Sequence, residues 1–442
     1  MLPRTSLLAA TVIGTMSNNV INVPLRDIAT DFGQPVQRAV LAVLAFSLFL
    51  AVAMPLTGWL GDRLGRRRVL AIAVALMAAG QLAAAAAPNL ETLVVVRGLQ
   101  GLGCSGIPPL VMGLLVWMHP QQPVRMMAAW AAANGVGQAA GPPIGGVIAD
   151  LLGWRAIFLV MAAASVVVLV VIVRAVPAPP RREAVLHLPG ALLLTVGAAL
   201  LLAGFGAVSQ ASVPRIVPVA LGVAGLLTLS AFVGVSRGNP HALIPLRLVI
   251  ETRFARSTAA AFAQMFALGT ALVAIPLLLT GEGGLSPSQA GTVFFALPLT
   301  MALLATLVGR VAERWGPRPV LRSGLVVVAL SAASVAALAA KGTTDLRLIL
   351  PVLVGLGLGM AFVQTPAASG ATRSPAGHYG SALGLFSLVR FSGSTIGAAW
   401  VALLVPGNHM GTIFLGTAVI ALGALALSFA GPNPQQLHGQ QA

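Results

Sequence analysis

The sequence predicts an all-α membrane protein of about fourteen transmembrane helices, arranged as two six-helix halves with an inserted helix pair. Three observations lead there. Charged residues make up 8% and the apolar set 57% of the 442 positions, against about 25% and 45–50% in an ordinary soluble domain, so there is too little charge to build a water-facing surface. Apolar runs follow one another with only short polar breaks, and each is near the ~20 residues that a helix needs to cross a hydrocarbon core. The basic residues gather in those breaks, which is the loop pattern of a multi-pass membrane protein.

Several functions are excluded on the same grounds. The formal net charge is +16, but its arginines sit in short clusters between apolar runs, so the partner they imply is membrane lipid and not nucleic acid. The single cysteine, Cys104, lies inside an apolar run, which rules out a disulfide framework and a thiolate metal site. His119, His187, His241, His378, His409 and His438 all fall in expected loops or the tail. No nucleophile–base pair or ligand set is therefore expected within the spans, and neither an enzyme nor a cofactor is expected.

Apolar runs place the spans at 5–27, 38–59, 69–88, 92–115, 126–150, 155–175, 188–209, 217–236, 258–280, 288–309, 321–340, 347–367, 380–404 and 411–430. Residues 1–16 have Arg4 ahead of an apolar stretch, like a signal peptide, but further spans follow directly and the stretch is read as the first span. With the N-terminus inside, eighteen of the 26 basic residues fall on the cytoplasmic side, six outside, and two, Arg97 and Arg390, within spans. The bias expects both termini in the cytoplasm of a cell inner membrane.

An internal repeat organises the chain. GWLGDRLGRRRVL at 58–70 returns as GRVAERWGPRPVL at 309–321, with glycines, an acid, two arginines and the final Val-Leu in register. The first copy joins the second and third spans and the second joins the tenth and eleventh. This divides the chain into a six-helix half over 1–176, an inserted pair and linker over 177–257, a second half over 258–430 and a tail over 431–442, the logic of parallel repeats related by an axis along the membrane normal. The segment 237–257, with Arg247, Arg253 and Arg256 beside Leu246, Leu248 and Ile250, reads as an interfacial linker or an inside loop.

In GDRLGRRR, Asp62 closes the second span and Arg66, Arg67 and Arg68 open the third. One carboxylate facing several guanidiniums at a tight turn makes a latch between halves, read here as an exposed or interfacial pair of about 0–1 kcal/mol. Glu313 is the acid of the second copy, where Pro317 replaces an arginine. This run resembles the loop signature of the major facilitator superfamily. In the fourth span, Arg97, Gln100, Gly101 and Cys104 fall near one face, in a pattern similar to the fourth-helix motif of drug/proton antiporters. There the resemblance implies that the arginine serves proton coupling; snorkelling to the interface is the alternative. In the fifth span, GQAAGPPIGG sets Gly137, Gly141 and Gly145 four apart beside Pro142 and Pro143. That gives a smooth face for another helix and a bend. The string resembles the antiporter motif of facilitator exporters, G-x-x-x-G-P-x-x-G-G, which implies efflux.

Together these resemblances point to the fourteen-helix drug/proton antiporter family. The first span departs from it. Where that family shows a pattern like L-D-x-T-I-V-N-V, this chain reads Met16 to Val23, with Ser17 for the acid and Asn19 for the threonine. None of the ten acids falls near an expected midplane. The polar residues within spans are amides and arginines: Asn18, Asn22, Arg97, Gln100, Asn134, Gln138, Gln264, Gln364 and Arg390. Converging between the halves, they would bind substrate, with Met265, Phe266 and Phe362 as apolar wall. Arg390 resembles the thirteenth-helix arginine of the family. The expected protein is a secondary active exporter of amphipathic drug-like compounds or a metabolite, driven by protons through the family resemblance. The second reading is an exporter of acidic small molecules that uses the two intramembrane arginines.

Overall fold

The computed structural model describes residues 2–180, 187–208, 210, 213–239, 242–281, 283–405 and 409–431, and the side chains of all of these but Gln37, Pro287 and Ser288. Arg181, Arg182, Glu183, His241, Glu282, His438 and nearly all of the expected tail lie outside the described residues. The helices are α1 (Leu2–Asn19), α2 (Leu25–Asp31), α3 (Val36–Leu64), α4 (Arg66–Ala85), α5 (Leu90–Cys104), α6 (Ile107–Met118), α7 (Pro123–Leu152) and α8 (Trp154–Ala175). Next come α9 (Leu188–Val208), α10 (Ile216–Ser236) and α11 (Leu246–Val249). The chain closes with α12 (Thr252–Gly281), α13 (Pro287–Trp315), α14 (Pro317–Ala340), α15 (Leu346–Arg373), α16 (Gly380–Leu404) and α17 (Met410–Leu427). No strand occurs among the described residues.

Twelve helical segments, counting α5 and α6 as one, are both long and apolar enough to cross a membrane, two fewer than the fourteen expected. The missing two are the expected spans 5–27 and 126–150. They form the helices α1 and α7, whose threonines, asparagines, glycines and glutamine dilute their apolarity. The first span is also shorter than expected. Asn19 turns its amide back onto the Thr15 carbonyl at 3.0 Å, and α1 gives way to a 3-10 turn over Val20–Asn22. Pro24 then precedes α2. The break puts Asn18 and Asn22 out of the shared helical face that a continuous span would give them. The fourth span is interrupted at Ser105 and Gly106, because Pro108 and Pro109 lack the N–H that a continuing helix requires and are accommodated in the first turn of α6.

The repeat is visible in the backbone. Gly65 separates α3 from α4 at φ +100°, and Gly316 separates α13 from α14 at φ +87°. These are matching positions of the two copies, and a residue with a side chain is disfavoured at both. Among the N-terminal helices α1 packs on α7 and α8, and α4 on α5 and α8. Among the C-terminal ones α12 packs on α16 and α14 on α15 and α17. The two groups meet along α3–α16 and α7–α13. α9 and α10 pack on each other, and α9 alone reaches α3 and α16, so the pair sits beside that seam with α10 largely exposed. The segment expected as a surface linker is tucked in: Leu243 and Ile244 are buried, and Ser381 Oγ donates to the Leu243 carbonyl at 2.8 Å. Among its described residues before α12 begins at Thr252, only the single turn α11 is helical. At the opposite end of the bundle Arg155 and Trp154 donate to Asp31, and the Arg155 hydrogen bond, above all, holds that carboxyl below the usual carboxylate range.

The glycine face of α7 is explained by α1. A methyl at Gly137 would meet the Val12 carbonyl at 2.7 Å and Thr15 Cβ at 2.8 Å, and one at Gly145 would run into Val20, whereas at Gly141 the nearest atom is Asn19 Cβ at 3.3 Å. Overpacking a tight contact costs about 1–3 kcal/mol. Thermal unfolding of the purified protein is therefore expected to show Gly137→Ala and Gly145→Ala losing more stability than Gly141→Ala, with Gly141→Leu losing most. Equal melting temperatures across the series would show that this face carries no packing.

Candidate functional site

Three groups of polar residues stand out. The first closes the arginine-rich end. Asp62, at the end of α3, is 7% exposed and is the one buried acid among the described residues. Its Oδ1 accepts from Arg66 Nε and Nη2 at 3.2 and 3.0 Å, and its Oδ2 accepts from the backbone N–H of Gly380, the first residue of α16. Arg66 Nη2 also donates to the His378 carbonyl at 2.9 Å. A carboxylate on the free N–H groups of a helix N-terminus is favoured by both hydrogen bonding and the helix dipole. Glycines permit the approach: a methyl at Gly58 would collide with the Gly380 carbonyl, and one at Gly384 would collide with Met54 and Pro55. Gly113 on α6 leaves room for the Arg66 guanidinium. The pair is not the exposed one expected, and a hydrogen bond to a charged group contributes about 1.5–3 kcal/mol.

The other expected gating residues are placed differently. Arg67 donates to the Val176 carbonyl at 3.1 Å, tying α4 to the end of α8 and not to the C-terminal helices. Glu313 is exposed and takes part in no hydrogen bond or ion pair among the described residues. Arg318 of the second copy, and Arg322 just after it, instead bind the end of α17. Arg318 donates to the carbonyls of Ser428, Phe429, Ala430 and Gly431, and Arg322 stacks on Phe429 at 3.7 Å. Gly141 and Pro142 lie in α7, which continues through both prolines.

The second group surrounds Arg97, whose side chain is completely buried and does not snorkel. Its Nη1 donates to the Ser17 carbonyl and to Gln100 Oε1, both at 3.0 Å, and its guanidinium lies 4.1 Å from the Phe46 ring centroid. Ser17, which stands in the place of the expected acid, accepts at Oγ from Gln81 Nε2 at 3.0 Å. Ser165 Oγ donates to Gln81 Oε1 at 2.8 Å. Gln81 and Ser165 were not singled out in the sequence, although a lone amide in the otherwise apolar run 69–88 was the available signal.

The third group lies at the seam. Arg390 on α16 is 2% exposed, and its guanidinium sits 5.2 Å from the ring of Trp130 on α7 and 5.1 Å from Phe391. Gln264 on α12 and Gln364 on α15 are also buried. The remaining expected substrate residues are more peripheral. Asn18 Oδ1 accepts from Ser47 at 3.1 Å, and Asn22 and Gln138 are half-buried and make no side-chain hydrogen bond among the described residues. Asn134 bridges Thr15 and the Trp130 carbonyl. Met265 faces Gly393 on α16, and Phe362 lies against Gly324 on α14 and packs on a cluster that includes Val124 of α7 and Val308 of α13.

Gln81 is completely buried, and its replacement by Leu leaves both Ser17 and Ser165 short of a partner. Loss of a buried partner costs about 1–3 kcal/mol. Gln81→Leu is expected to lower the melting temperature while Ser17→Ala, which removes only one bond, lowers it less; a neutral Gln81→Leu would mean that the network contributes nothing.

The model of the Major Facilitator Superfamily matches residues 6–236 and 258–441. The multidrug resistance protein Stp of Mycobacterium tuberculosis is 29% identical over 387 residues, covering 86% of this chain and 71% of Stp. The drug efflux pump JefA of the same organism is 29% identical over 404 residues, covering 88% of this chain and 77% of JefA. Among solved structures, the human organic anion transporter MFSD10 (TETRAN) superposes with a TM-score of 0.72 at 18% identity, over 97% of this chain and 99% of that one. At that identity the likeness speaks for the fold alone.

Proposed function

The chain belongs to the Major Facilitator Superfamily and is a multi-pass membrane transporter, and we propose that it exports amphipathic small molecules by alternating access. The observation that carries the export reading is the string Gly137 to Gly146. It resembles the exporter motif and is built into the fold as the tight contact of α7 with α1. The names of Stp and JefA support the same direction. We assign α1 and α7 as two further crossings, making fourteen, because each is enclosed by spanning helices: α1 by α8, and α7 by α13 and α15. The moving units are residues 1–176 and 258–430, rocking about α3–α16 and α7–α13. The inserted pair rides beside the seam, in the inner membrane.

The arginine bias puts the Asp62 end, and with it both termini, in the cytoplasm. In this structure that end is shut by Asp62 and Gly380. Proton influx is the proposed driving force, and it rests on the family resemblance.

Inside-out vesicles with an imposed proton gradient test this. Uptake of a lipophilic dye that stops when a protonophore collapses the gradient is the expected result; uptake indifferent to the gradient removes proton coupling, and uptake confined to right-side-out vesicles removes export. Asp62→Asn keeps the shape but loses the charge, and is expected to cut uptake at least several-fold while the protein stays folded. Unchanged uptake would leave the loop with a topological role only.

A further inference from the structure

Arg97 and Arg390 are chemically alike and both buried, but the bundle treats them differently. Arg97 has a carbonyl and an amide oxygen on Nη1 and an aromatic ring against its face. On Arg390, Nε, Nη1 and Nη2 all lack a hydrogen-bond partner among the described residues. Trp130 beside it is 1% exposed, and its indole Nε1 is likewise unpartnered. So are both ends of the Gln264 amide, Nε2 of Gln364 and the hydroxyls of Thr365 and Ser369.

The helix register puts Arg390, Gln264, Gln364 and Thr365 at one level, with Ser369 about one turn further along α15. Gly393 of α16 abuts Phe262, Met265 and Phe266 of α12, and Gly370 of α15 abuts Ser257 of α12. One turn back from Gly393 lies Arg390; one to two turns back from Gly370 lie Gln364 and Thr365, level with the α12 residues around Gln264. A buried guanidinium with no counter-charge and several idle hydrogen-bonding groups is costly in an apolar protein. No described acid reaches it, since Asp62, the one that is buried, is held by Arg66 and Gly380.

We propose that Arg390, Trp130, Gln264, Gln364, Thr365 and Ser369 form a substrate site for an amphipathic molecule bearing a carboxylate. The carboxylate completes Arg390 through the paired N–H groups of its planar fork, which match a carboxylate in a bidentate arrangement. Trp130 and Phe391 offer flat apolar surface to the rest of the molecule. Arg390 belongs to the C-terminal helices and Trp130 to the N-terminal ones, so the ligand bridges the two moving groups. The proposal rests on the export reading only for the direction in which the ligand is carried; Arg97, whose Nη1 ties α5 to α1 while its Nε and Nη2 also lack a partner among the described residues, is a positioning residue for those helices.

Three dansyl probes of similar size test it on the purified full chain: dansylglycine (a carboxylate), dansylglycinamide (neutral) and dansylcadaverine (a cation). Binding is read as energy transfer from tryptophan to the dansyl group. Dansylglycine is expected to bind at least tenfold more tightly than the amide, Arg390→Gln to abolish that preference, and Arg390→Lys to restore part of it. Without ligand, Arg390→Gln is expected to melt at a higher temperature than the parent, because an unpaired buried charge is gone; dansylglycine raises the melting temperature of the parent only. A structural arginine would give the opposite sign. Should Arg390→Gln fail to fold, the parent's own selectivity among the three probes decides. Equal affinity for acid and amide, a preference for the cation, or chloride alone stabilising the parent as much as dansylglycine does would each overturn the carboxylate site. Export is scored separately in inside-out vesicles: a parent that binds dansylglycine through Arg390 but accumulates none refutes export and keeps the site, whereas one that accumulates only dansylcadaverine keeps export and refutes the site.

Discussion

Along the α3–α16 seam, one of the two on which the halves meet, the Asp62 carboxylate accepts from the first backbone N–H of α16, and the close approach of those helices depends on that contact's surroundings. The contact forms only because three glycines, Gly58, Gly380 and Gly384, let the backbones of α3 and α16 come within a distance at which any Cβ would collide. Small residues at helix crossings are how membrane bundles gain dispersion and polar contacts without help from the hydrophobic effect. Here they also deliver a charge to a helix end. With the arginine-rich end closed in this way, the polar groups deeper in the seam are sealed off from it.

The internal repeat makes the contact more informative, because its second copy does not reproduce it. Gly65 and Gly316 turn the chain identically, so the backbone plan is shared. The side chains have diverged: Asp62 faces the opposite half, while Glu313 is exposed and Arg318 and Arg322 are spent on the carbonyl end of α17. A free C-terminal helix end needs donors and a free N-terminal end needs acceptors. Both copies set an arginine against the carbonyl end of a helix, Arg67 at α8 and Arg318 at α17, and only the first, through Asp62, also meets a helix N-terminus and joins the halves.

The intramembrane arginines show a similar division. Ser17, which stands where the family resemblance leads us to expect an acid, takes a hydrogen bond from Gln81 and offers its carbonyl to Arg97. The N-terminal half thus gives its buried cation neutral acceptors from its own helices at Nη1, leaving Nε and Nη2 without a partner among the described residues. Arg390 has one ring from each half, Trp130 and Phe391, and no acceptor at any of its three nitrogens among the described residues. The two buried arginines thus differ in having an acceptor at one nitrogen or at none.

Composition and the spacing of apolar runs determined the class of protein, the order of its spans and the equivalence of residues 58–70 and 309–321, because those properties are linear in the chain: hydrocarbon thickness sets run length, and a repeated turn needs a repeated glycine. The positions of Arg97 and Arg390 within spans were legible for the same reason. The breaks at Asn19 and Ser105 were not, since each depends on local competition for backbone partners inside an apolar run. Pairing was decided by tertiary structure alone. Whether Asp62 is a surface pair or a buried helix cap, whether Gln81 matters, and whether a buried arginine is satisfied all depend on which helix lies opposite. Apolar periodicity is equally consistent with many choices of neighbour, and only the close approach of glycine backbones selects among them.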